Sequence, residues 1–247
     1  MSVKHSSPND VSPARRELAG AGFAVVRNVG AGEEEFRAFF EAMGRPRGGT
    51  FWAEIQTVRY RPGTAPEDSV AESRHHLAPH TDGTFESSPP ELLFLQCVEP
   101  DLPGFGESYI VATQDLCGRL PGEVIDALSR PEFLFYRSSD GKAAQALSWV
   151  LSRDGAGRPL IRFRQDEKYR IRARSEAGAA AIEHLTATLR EEALRRTIGV
   201  GRGAVLCLDN RRMLHARTAL SGTVLREMRA AWADGGVLLP GEAEEEV

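Results

Sequence analysis

The chain has 247 residues, of which 41% are hydrophobic and 27% are charged, and its formal net charge is −4. These values predict a soluble globular protein with one sizeable core and give no broad positive surface for nucleic acid. The sequence has no run of about 18 apolar residues, and its first residues lack the apolar stretch of a secretory signal. We therefore expect no nucleic-acid partner, no membrane insertion and a cytoplasmic location, in which the three widely spaced cysteines are reduced thiols.

The first third of the chain predicts helices and strands followed by a long polar connection. In chain order the predicted elements are a flexible leader at 1–11, a helix from Ser12 to Gly20 or Gly22, a strand at 23–29, a helix at 33–44, a strand at 55–62 and a connection at 63–79. Long connections of this kind are often lids or binding loops. The apolar residues of the second helix recur at helical spacing, which predicts that they pack in the core: Phe36, Phe39, Phe40 and Met43.

The rest of the chain predicts many short strands and a few helices. The predicted elements are strands at 91–99 and 109–112, a helix at 121–130, strands at 133–138, 147–152 and 159–164, a helix at 175–196, strands at 203–210, 212–217 and 224–232, and an acidic tail at 239–247. This pattern predicts a mainly β fold with flanking helices (α+β) and a β-sandwich or jelly-roll core. We expect a single domain over residues 12–238.

The stretch HTDGTFESSPP at residues 80–90 contains a histidine and a carboxylate two positions apart. On a strand, residues i and i+2 face the same side, so His80 and Asp82 can converge on one metal ion. Without a third ligand, an ordinary polar turn is the commoner explanation of this pattern. His215, in the segment DNRRMLHART, is a candidate for that third ligand. Two histidines and one carboxylate leave open positions that suit non-haem iron(II), and zinc accepts the same ligand types.

Four segments in this order resemble the iron(II)- and 2-oxoglutarate-dependent dioxygenases of the taurine dioxygenase and clavaminate synthase-like superfamily: HTDGTFESSPP, GFGES, GAVLCLDNRRMLHART and REMR. The resemblance spans roughly residues 20–235. It implies a double-stranded β-helix, which is a distorted jelly-roll. It also implies that His80, Asp82 and His215 bind iron(II), with 2-oxoglutarate as cosubstrate and dioxygen (O2) as oxidant.

The resemblance further implies how 2-oxoglutarate is held. Ser108 corresponds to the hydroxyl residue that bonds the distal carboxylate, although the family more often has threonine after Gly-Gly, and Phe105 interrupts the glycines here. A guanidinium can grip both oxygens of that carboxylate. Arg226 and Arg229 both lie at offsets from His215 that occur in the family, but they point to opposite faces of a strand. We prefer Arg226 and keep Arg229 as the alternative.

The expected reaction is hydroxylation of an unactivated C–H bond in a small polar molecule, an amino acid or a natural-product intermediate, with release of succinate and CO2. A carrier-tethered amino acid is an alternative substrate, and desaturation, cyclisation and epoxidation are alternative outcomes. Asp82 argues against a halogenase, because that branch lacks the carboxylate. More remote alternatives are a non-redox metal hydrolase and a small-molecule-binding jelly-roll, which leave Ser108 and Arg226 without a purpose. The sequence predicts no oligomeric state.

Other polar residues near these motifs are expected to be structural. Asp209 and Asn210 are predicted to stabilise the turn before the His215 segment by bonding their own backbone. Arg217 is predicted to be a structural or surface charge, with a substrate contact as the alternative.

Overall fold

The structure is a computed structural model that describes residues 11–49, 53–137 and 145–235. The predicted leader, apart from Val11, and the predicted acidic tail lie outside the described residues. The helices are α1 Ser12–Ala21, α2 Glu33–Met43, α3 Pro66–Ser69, α4 Thr113–Cys117, α5 Gly122–Leu128 and α6 Glu176–Thr188, followed by a 3-10 helix at Glu192–Leu194. The strands are β1 Phe23–Val26, β2 Arg45–Arg47, β3 Ile55–Arg59, β4 Leu77–His80, β5 Leu92–Glu99, β6 Ser108–Ala112, β7 Phe133–Arg137, β8 Gln145–Ser148, β9 Leu151–Arg153, β10 Pro159–Ile161, β11 Tyr169–Ala173, β12 Arg196–Ile198, β13 Val205–Asp209, β14 Met213–Arg217 and β15 Glu227–Asp234.

Two antiparallel sheets form the centre of the fold. One has the strand order β1-β13-β5-β15-β2, with β3 also paired to β15, and the other has the order β12-β6-β14-β4. Side chains from both sheets meet in one apolar cluster that includes Leu93, Ile110, Leu206 and Met213. The predicted mainly β, jelly-roll fold with flanking helices is confirmed.

The helices cover the outer faces of these sheets. Alternation along β5 directs Leu93 to the cluster between the sheets, while Leu92 and Phe94 face α1 and α2. The aromatic stripe of α2 packs there as predicted, with the rings of Phe40 and Phe94 stacked 6.1 Å apart. A third cluster joins the outer side of β6 and β14 to α5, α6 and β7. Apolar packing on both sides therefore holds the two strands β6 and β14 in place.

The predicted helix at 175–196 is too long. It begins as expected, because the Ser175 side chain accepts a hydrogen bond from the Gly178 backbone N–H, but α6 ends at Thr188. After the 3-10 turn, residues Arg196–Ile198 pair with β6 instead. Pairing with a sheet edge satisfies their backbone groups and overrides the helix propensity of this Arg-, Glu- and Leu-rich segment.

Several other boundaries also differ from prediction. The connection at 63–79 contains the short helix α3 and ends in β4, and the strand predicted at 147–152 is interrupted after Ser148. The strand predicted at 224–232 begins only at Glu227 and continues to Asp234. Short elements were not predicted where they lack strong periodicity, namely β2, β11, β12 and α4. None of the helices in the described ranges is long and apolar enough to cross a membrane.

Candidate active site

His80 and His215 face each other across two neighbouring strands. His80 is the last residue of β4, His215 lies in the middle of β14, and the two residues are direct partners in the register. Their ring centroids are 4.1 Å apart, and both side chains are buried. β14 also pairs with β6 on its other side, which fixes the His215 backbone opposite His80.

The alternation argument placed Asp82 on a strand with His80. In the structure, Asp82 reaches the same point from a turn. β4 ends at His80, and residues 82–85 form a turn in which Gly83 has a φ of +67°. A β-carbon at Gly83 would lie 2.5 Å from Pro90, so the turn needs a glycine on both counts. The turn is held by Asn210, whose Oδ1 accepts from the Asp82 N–H at 2.8 Å and whose Nδ2 donates to the Asp82 carbonyl at 3.1 Å.

Asn210 therefore has a larger role than predicted from sequence. Its Nδ2 also donates to the Pro90 carbonyl, so one side chain bonds both ends of the HTDGTFESSPP segment. Asp209 stabilises the adjoining turn as expected, because its carboxylate accepts from the Arg211 backbone N–H and from the side chains of Arg211 and Arg212. The Asn210 side chain, in contrast, bonds another segment and not its own backbone. In the sequence, Asn210 was noticeable because it lies in the turn that leads to the His215 strand. The segment that it bonds could not be identified without the fold.

The three side chains form a compact donor set. One ligand atom from each of His80, Asp82 and His215 lies within 4.8 Å of the other two. Asp82 Oδ1 is 3.6 Å from Nε2 of His80 and 4.0 Å from Nε2 of His215. The Nδ1 of His80 is 2.8 Å from the Ala78 carbonyl oxygen, so this nitrogen carries the proton and the Nε2 lone pair faces the other donors.

Burial keeps both imidazoles neutral. It is the largest cause of the lowered pKa of His80, with further lowering from His215 and Arg164. Burial also lowers the pKa of His215, partly offset by Asp82. Within the described residues, Nδ1 of His215 is buried and has no hydrogen-bond partner. Neutral imidazoles beside a carboxylate are the form in which these residues bind a divalent metal.

Arg164 is a neighbour of the donor set that sequence reasoning missed. Its guanidinium is 3.4 Å from Asp82 Oδ1, donates to Asp166 at 3.0 Å and lies 3.8 Å above the ring of Tyr169. Burial opposes the charge of Arg164, but Tyr169, Asp166 and Asp82 raise its pKa. A permanent positive charge is therefore held beside the carboxylate. In sequence, Arg164 is one of many arginines, and no spacing distinguished it.

A cavity of about 280 Å³ opens at the donor set and extends to Ser108 and Arg226. Arg226 precedes β15, where alternation directs residues 226, 228, 230 and 232 toward the space between the sheets. Its side chain is 8% exposed, and burial lowers its pKa. Among the described residues, its guanidinium donates no hydrogen bond. Ser108, the first residue of β6, is 9% exposed and lines the same cavity.

Arg229 lies on the other face of β15 and does not line the cavity. Its guanidinium donates to the Ala31 carbonyl at 2.7 Å and to Gln96 Oε1 at 3.0 Å. Gln96 in turn donates to the Gly30 and Gly32 carbonyls at the start of α2. Arg229 thus ties the large sheet to the loop before α2, away from His80, Asp82 and His215.

The connection between β3 and β4 covers one side of the cavity. Arg217, which is 3% exposed, donates to the Val70 and Ser73 carbonyls of this connection. Lys168 donates to the Asp68 carbonyl from the opposite side. Asp68, Lys168 and Asp166 all line the cavity, so its outer part is polar and carries both signs of charge. Arg217 is structural, as expected, but it is buried and not on the surface.

The sequence profile of the taurine catabolism dioxygenase TauD, TfdA family matches residues 2–232. The match covers most of the chain, and the chain belongs to this family. It is therefore an enzyme of the iron(II)- and 2-oxoglutarate-dependent oxygenase class, and the class and cofactors expected from the resemblance are confirmed. No curated protein matches the chain by sequence.

Solved structures of oxygenases share the fold. An asparagine oxygenase in complex with Fe(II), 3-hydroxyasparagine and succinate has a TM-score of 0.72 and 21% identity over 92% of this chain and 78% of that chain. The non-haem iron oxygenase OrfP with Fe and α-ketoglutaric acid has a TM-score of 0.68 and 16% identity over 91% of this chain and 78% of that chain. PvcB from Pseudomonas aeruginosa has a TM-score of 0.66 and 16% identity over 94% of this chain and 84% of that chain.

Proposed function

We propose that this enzyme hydroxylates an unactivated C–H bond of a small polar molecule, an amino acid or a natural-product intermediate. The balanced reaction consumes the substrate, 2-oxoglutarate and O2 and yields the hydroxylated product, succinate and CO2. The observation that carries the proposal is the single cavity that joins the donor set of His80, Asp82 and His215 to Ser108 and Arg226.

The donor set fits iron(II). In this proposal, Nε2 of His80, Nε2 of His215 and Asp82 Oδ1 hold the metal, because these atoms face one another and the proton on Nδ1 of His80 is held by Ala78. Two imidazoles and one carboxylate leave open positions, which suits a metal that also binds a cosubstrate and dioxygen. When bound, iron(II) and 2-oxoglutarate supply the oxidising chemistry, and the protein supplies position and exclusion of water.

Ser108 and Arg226 are proposed to hold the distal carboxylate of 2-oxoglutarate. A buried guanidinium without a hydrogen-bond partner among the described residues is costly unless an anion pairs with it. Burial lowers the pKa of Arg226 and the charge of the Asp101 carboxylate raises it, but among the described residues this carboxylate forms no ion pair with the guanidinium. Arg226 meets this description, whereas Arg229 already has two acceptors. A charge-assisted hydrogen bond to a carboxylate in this low-dielectric site is stronger than one in water. The geometry supports Arg226 over Arg229 for this role.

The cavity wall supports a small polar substrate. Its outer part is lined by Asp68, Glu72, Asp166 and Lys168. These groups offer donors and acceptors for a zwitterion, while Val70, Leu77 and Met228 give the same cavity an apolar part. Two structural relatives were solved with hydroxylated amino acids, 3-hydroxyasparagine in the asparagine oxygenase and (3S)-hydroxy-L-Arg in OrfP. At identities of 21% and 17% these relatives show the fold alone, so an amino acid is our proposal for this chain.

Desaturation or cyclisation of a biosynthetic intermediate is the second candidate. PvcB, which shares the fold, is described as an oxygenase from an isonitrile synthetic pathway. The same cofactors serve these outcomes, and the pose of the substrate decides among them.

The test is a substrate screen with free amino acids, including asparagine and arginine, together with iron(II), 2-oxoglutarate and air. We expect one substrate to accelerate succinate formation and to gain one oxygen atom by mass spectrometry. Loss of two hydrogens from the substrate would favour desaturation or cyclisation instead. Asp82→Ala is the matched inactive control. Iron-dependent succinate that no amino acid accelerates would contradict the proposed substrate class while leaving the oxygenase assignment in place.

A further inference from the structure

Trp232 bonds directly to the carboxylate of Asp82. It lies on β15 opposite Leu93, is 2% exposed, and its indole N–H donates to Asp82 Oδ2 at 3.0 Å. A buried indole N–H needs an acceptor, and most sites in a core provide a backbone carbonyl. Here the acceptor is Asp82, which is one of the three candidate metal ligands.

The two oxygens of Asp82 have different surroundings. Oδ1 faces Nε2 of His80 and Nε2 of His215 and is 3.4 Å from the Arg164 guanidinium. Oδ2 points to Trp232. A carboxylate can bind a metal through one oxygen or through both. Binding through both would require the carboxylate to turn Oδ2 toward His80 and His215, which would break the hydrogen bond that the Trp232 indole donates to Oδ2.

Neither partner of this hydrogen bond can shift easily. A β-carbon added at Gly49 would lie 2.4 Å from Cζ3 of the Trp232 ring, so the ring edge packs directly against the Gly49 backbone. The Asp82 backbone is bonded at both its N–H and its carbonyl by Asn210. The Asp82 backbone and the Trp232 ring are therefore each held in place on their own side of the hydrogen bond.

We propose that Trp232 is a positioning residue that restricts Asp82 to ligation of the metal through Oδ1 alone. The inference rests on the proposed function. Three protein atoms on an octahedral metal leave three positions, two for the chelating cosubstrate and one for dioxygen. A second oxygen from Asp82 would take one of these positions. Trp232 thereby preserves the full number of open positions without contacting the metal or either cosubstrate.

The variant that tests this is Trp232→Phe, which keeps an aromatic ring and removes the donor. Trp149→Phe is the control, because Trp149 does not line the cavity that holds the donor set. The protein is loaded with Mn(II), and the number of metal-bound waters is measured by water-proton relaxation. We expect about three waters in the wild type and in Trp149→Phe and about two in Trp232→Phe. We also expect the dissociation constant for 2-oxoglutarate, measured on the Mn(II) protein, to rise about 10-fold or more in Trp232→Phe alone.

Equal water numbers and equal 2-oxoglutarate affinities in the wild type and Trp232→Phe would overturn the inference, since Trp232 would then be only a satisfied core residue. If Trp232→Phe does not fold, the wild-type protein decides by ¹⁵N NMR of its indole N–H groups before and after Zn(II) is added. A Trp232 N–H that remains protected from solvent exchange with metal bound supports the inference, and loss of protection contradicts it. A wild-type protein that binds no Mn(II) at all would instead contradict the proposed function.

Discussion

At the residue scale, β15 and the residue before it place Arg226 and Arg229 on opposite faces of the sheet. The sequence left both arginines as candidates for binding 2-oxoglutarate, with Arg226 preferred. Alternation along β15 directs Arg226 into the cavity with His80, Asp82 and His215, and it directs Arg229 to the loop before α2. The same alternation brings Trp232 to Asp82. The sequence predicted that the two arginines face opposite sides. It could not show which side holds the site, because that depends on the pairing of β15 with β5.

Arg226→Ala should weaken binding of 2-oxoglutarate. Removing a charge-assisted hydrogen bond in a buried site costs about 1.5–3 kcal/mol, so we expect the KM for 2-oxoglutarate to rise about 10- to 150-fold. Arg229→Gln is the control and should change that KM by less than about threefold while lowering the melting temperature. The measurement is steady-state succinate formation against 2-oxoglutarate concentration. A larger rise in KM for Arg229→Gln than for Arg226→Ala would reverse the assignment.

Asn210→Ala should destabilise the protein and the donor set together. The Asn210 side chain makes three hydrogen bonds to the segment that carries Asp82, and it is 2% exposed. Unpaired buried groups cost about 1–3 kcal/mol each, so the free energy of unfolding should fall by about 2–4 kcal/mol. Urea denaturation of the metal-free protein measures this change. A fall of less than about 0.5 kcal/mol, the size of an ordinary surface substitution, would show that the turn is held by other contacts.

At the element scale, the connection between β3 and β4 is fastened over the cavity from two sides. Arg217 holds it through the Val70 and Ser73 carbonyls, and Lys168 holds α3 through the Asp68 carbonyl. The sequence predicted a long polar connection of the kind that forms lids. It did not predict α3 or β4, because a four-residue helix and a four-residue strand are too short to show periodicity.

Lys168→Met should loosen this connection. The single hydrogen bond from Lys168 to Asp68 is worth about 1 kcal/mol, which corresponds to about a fivefold increase in the rate of amide exchange at residues 66–73. Hydrogen-exchange mass spectrometry of the whole chain measures it. Arg170→Met is the matched control, because the Arg170 side chain donates to the Glu167 carbonyl, three residues before it, and not to this connection. Identical exchange at 66–73 in both variants would mean that Lys168 does not fasten the connection.

At the scale of the whole molecule, the described residues form three apolar clusters that lie side by side, from α2 through the two sheets to α6. Neighbouring clusters share strands, because each of these strands packs on both faces. The cluster next to α2 and the cluster between the sheets share β5, β13 and β15, and the cluster between the sheets and the cluster next to α6 share β6 and β14. We therefore propose that the described residues unfold as the single domain expected over 12–238. The many short strands predicted the fold class and a β-sandwich or jelly-roll core. The resemblance to the dioxygenase superfamily selected the jelly-roll.

Side-chain truncations in different clusters should lower the midpoint temperature of one common unfolding transition. Phe36→Ala removes packing from the α2 side, and Leu206→Ala removes it from between the sheets. Phe36→Ala should cost about 3–5 kcal/mol and Leu206→Ala about 2–5 kcal/mol, and each should shift a single cooperative transition in calorimetry. Leu225→Ala, at a side chain that is 55% exposed, should leave the midpoint nearly unchanged. Two separate transitions in Phe36→Ala would contradict a single domain.

The residues of the proposed site could be named from the sequence, whereas the residues that support them could not. Motif order led from His80, Asp82 and His215 to Ser108 and Arg226, and the structure places all five around one cavity. Arg164 and Trp232 belong to no motif. Their roles arise from contacts with Asp82, which lies 82 residues from Arg164 and 150 residues from Trp232 in the chain. Such contacts follow from the register of the sheets, which local patterns do not specify.

The central claim is that His80, Asp82 and His215 hold iron(II) for turnover of 2-oxoglutarate. The most direct measurement is succinate formation from 2-oxoglutarate under air, with and without iron(II), in the presence of the amino-acid panel, for the wild type and Asp82→Ala. We predict iron-dependent succinate in the wild type and a loss of more than about 100-fold in Asp82→Ala, since even partners of metal ligands are worth about 10- to 100-fold. Equal rates in the two proteins, or no iron-dependent succinate in the wild type, would contradict the account.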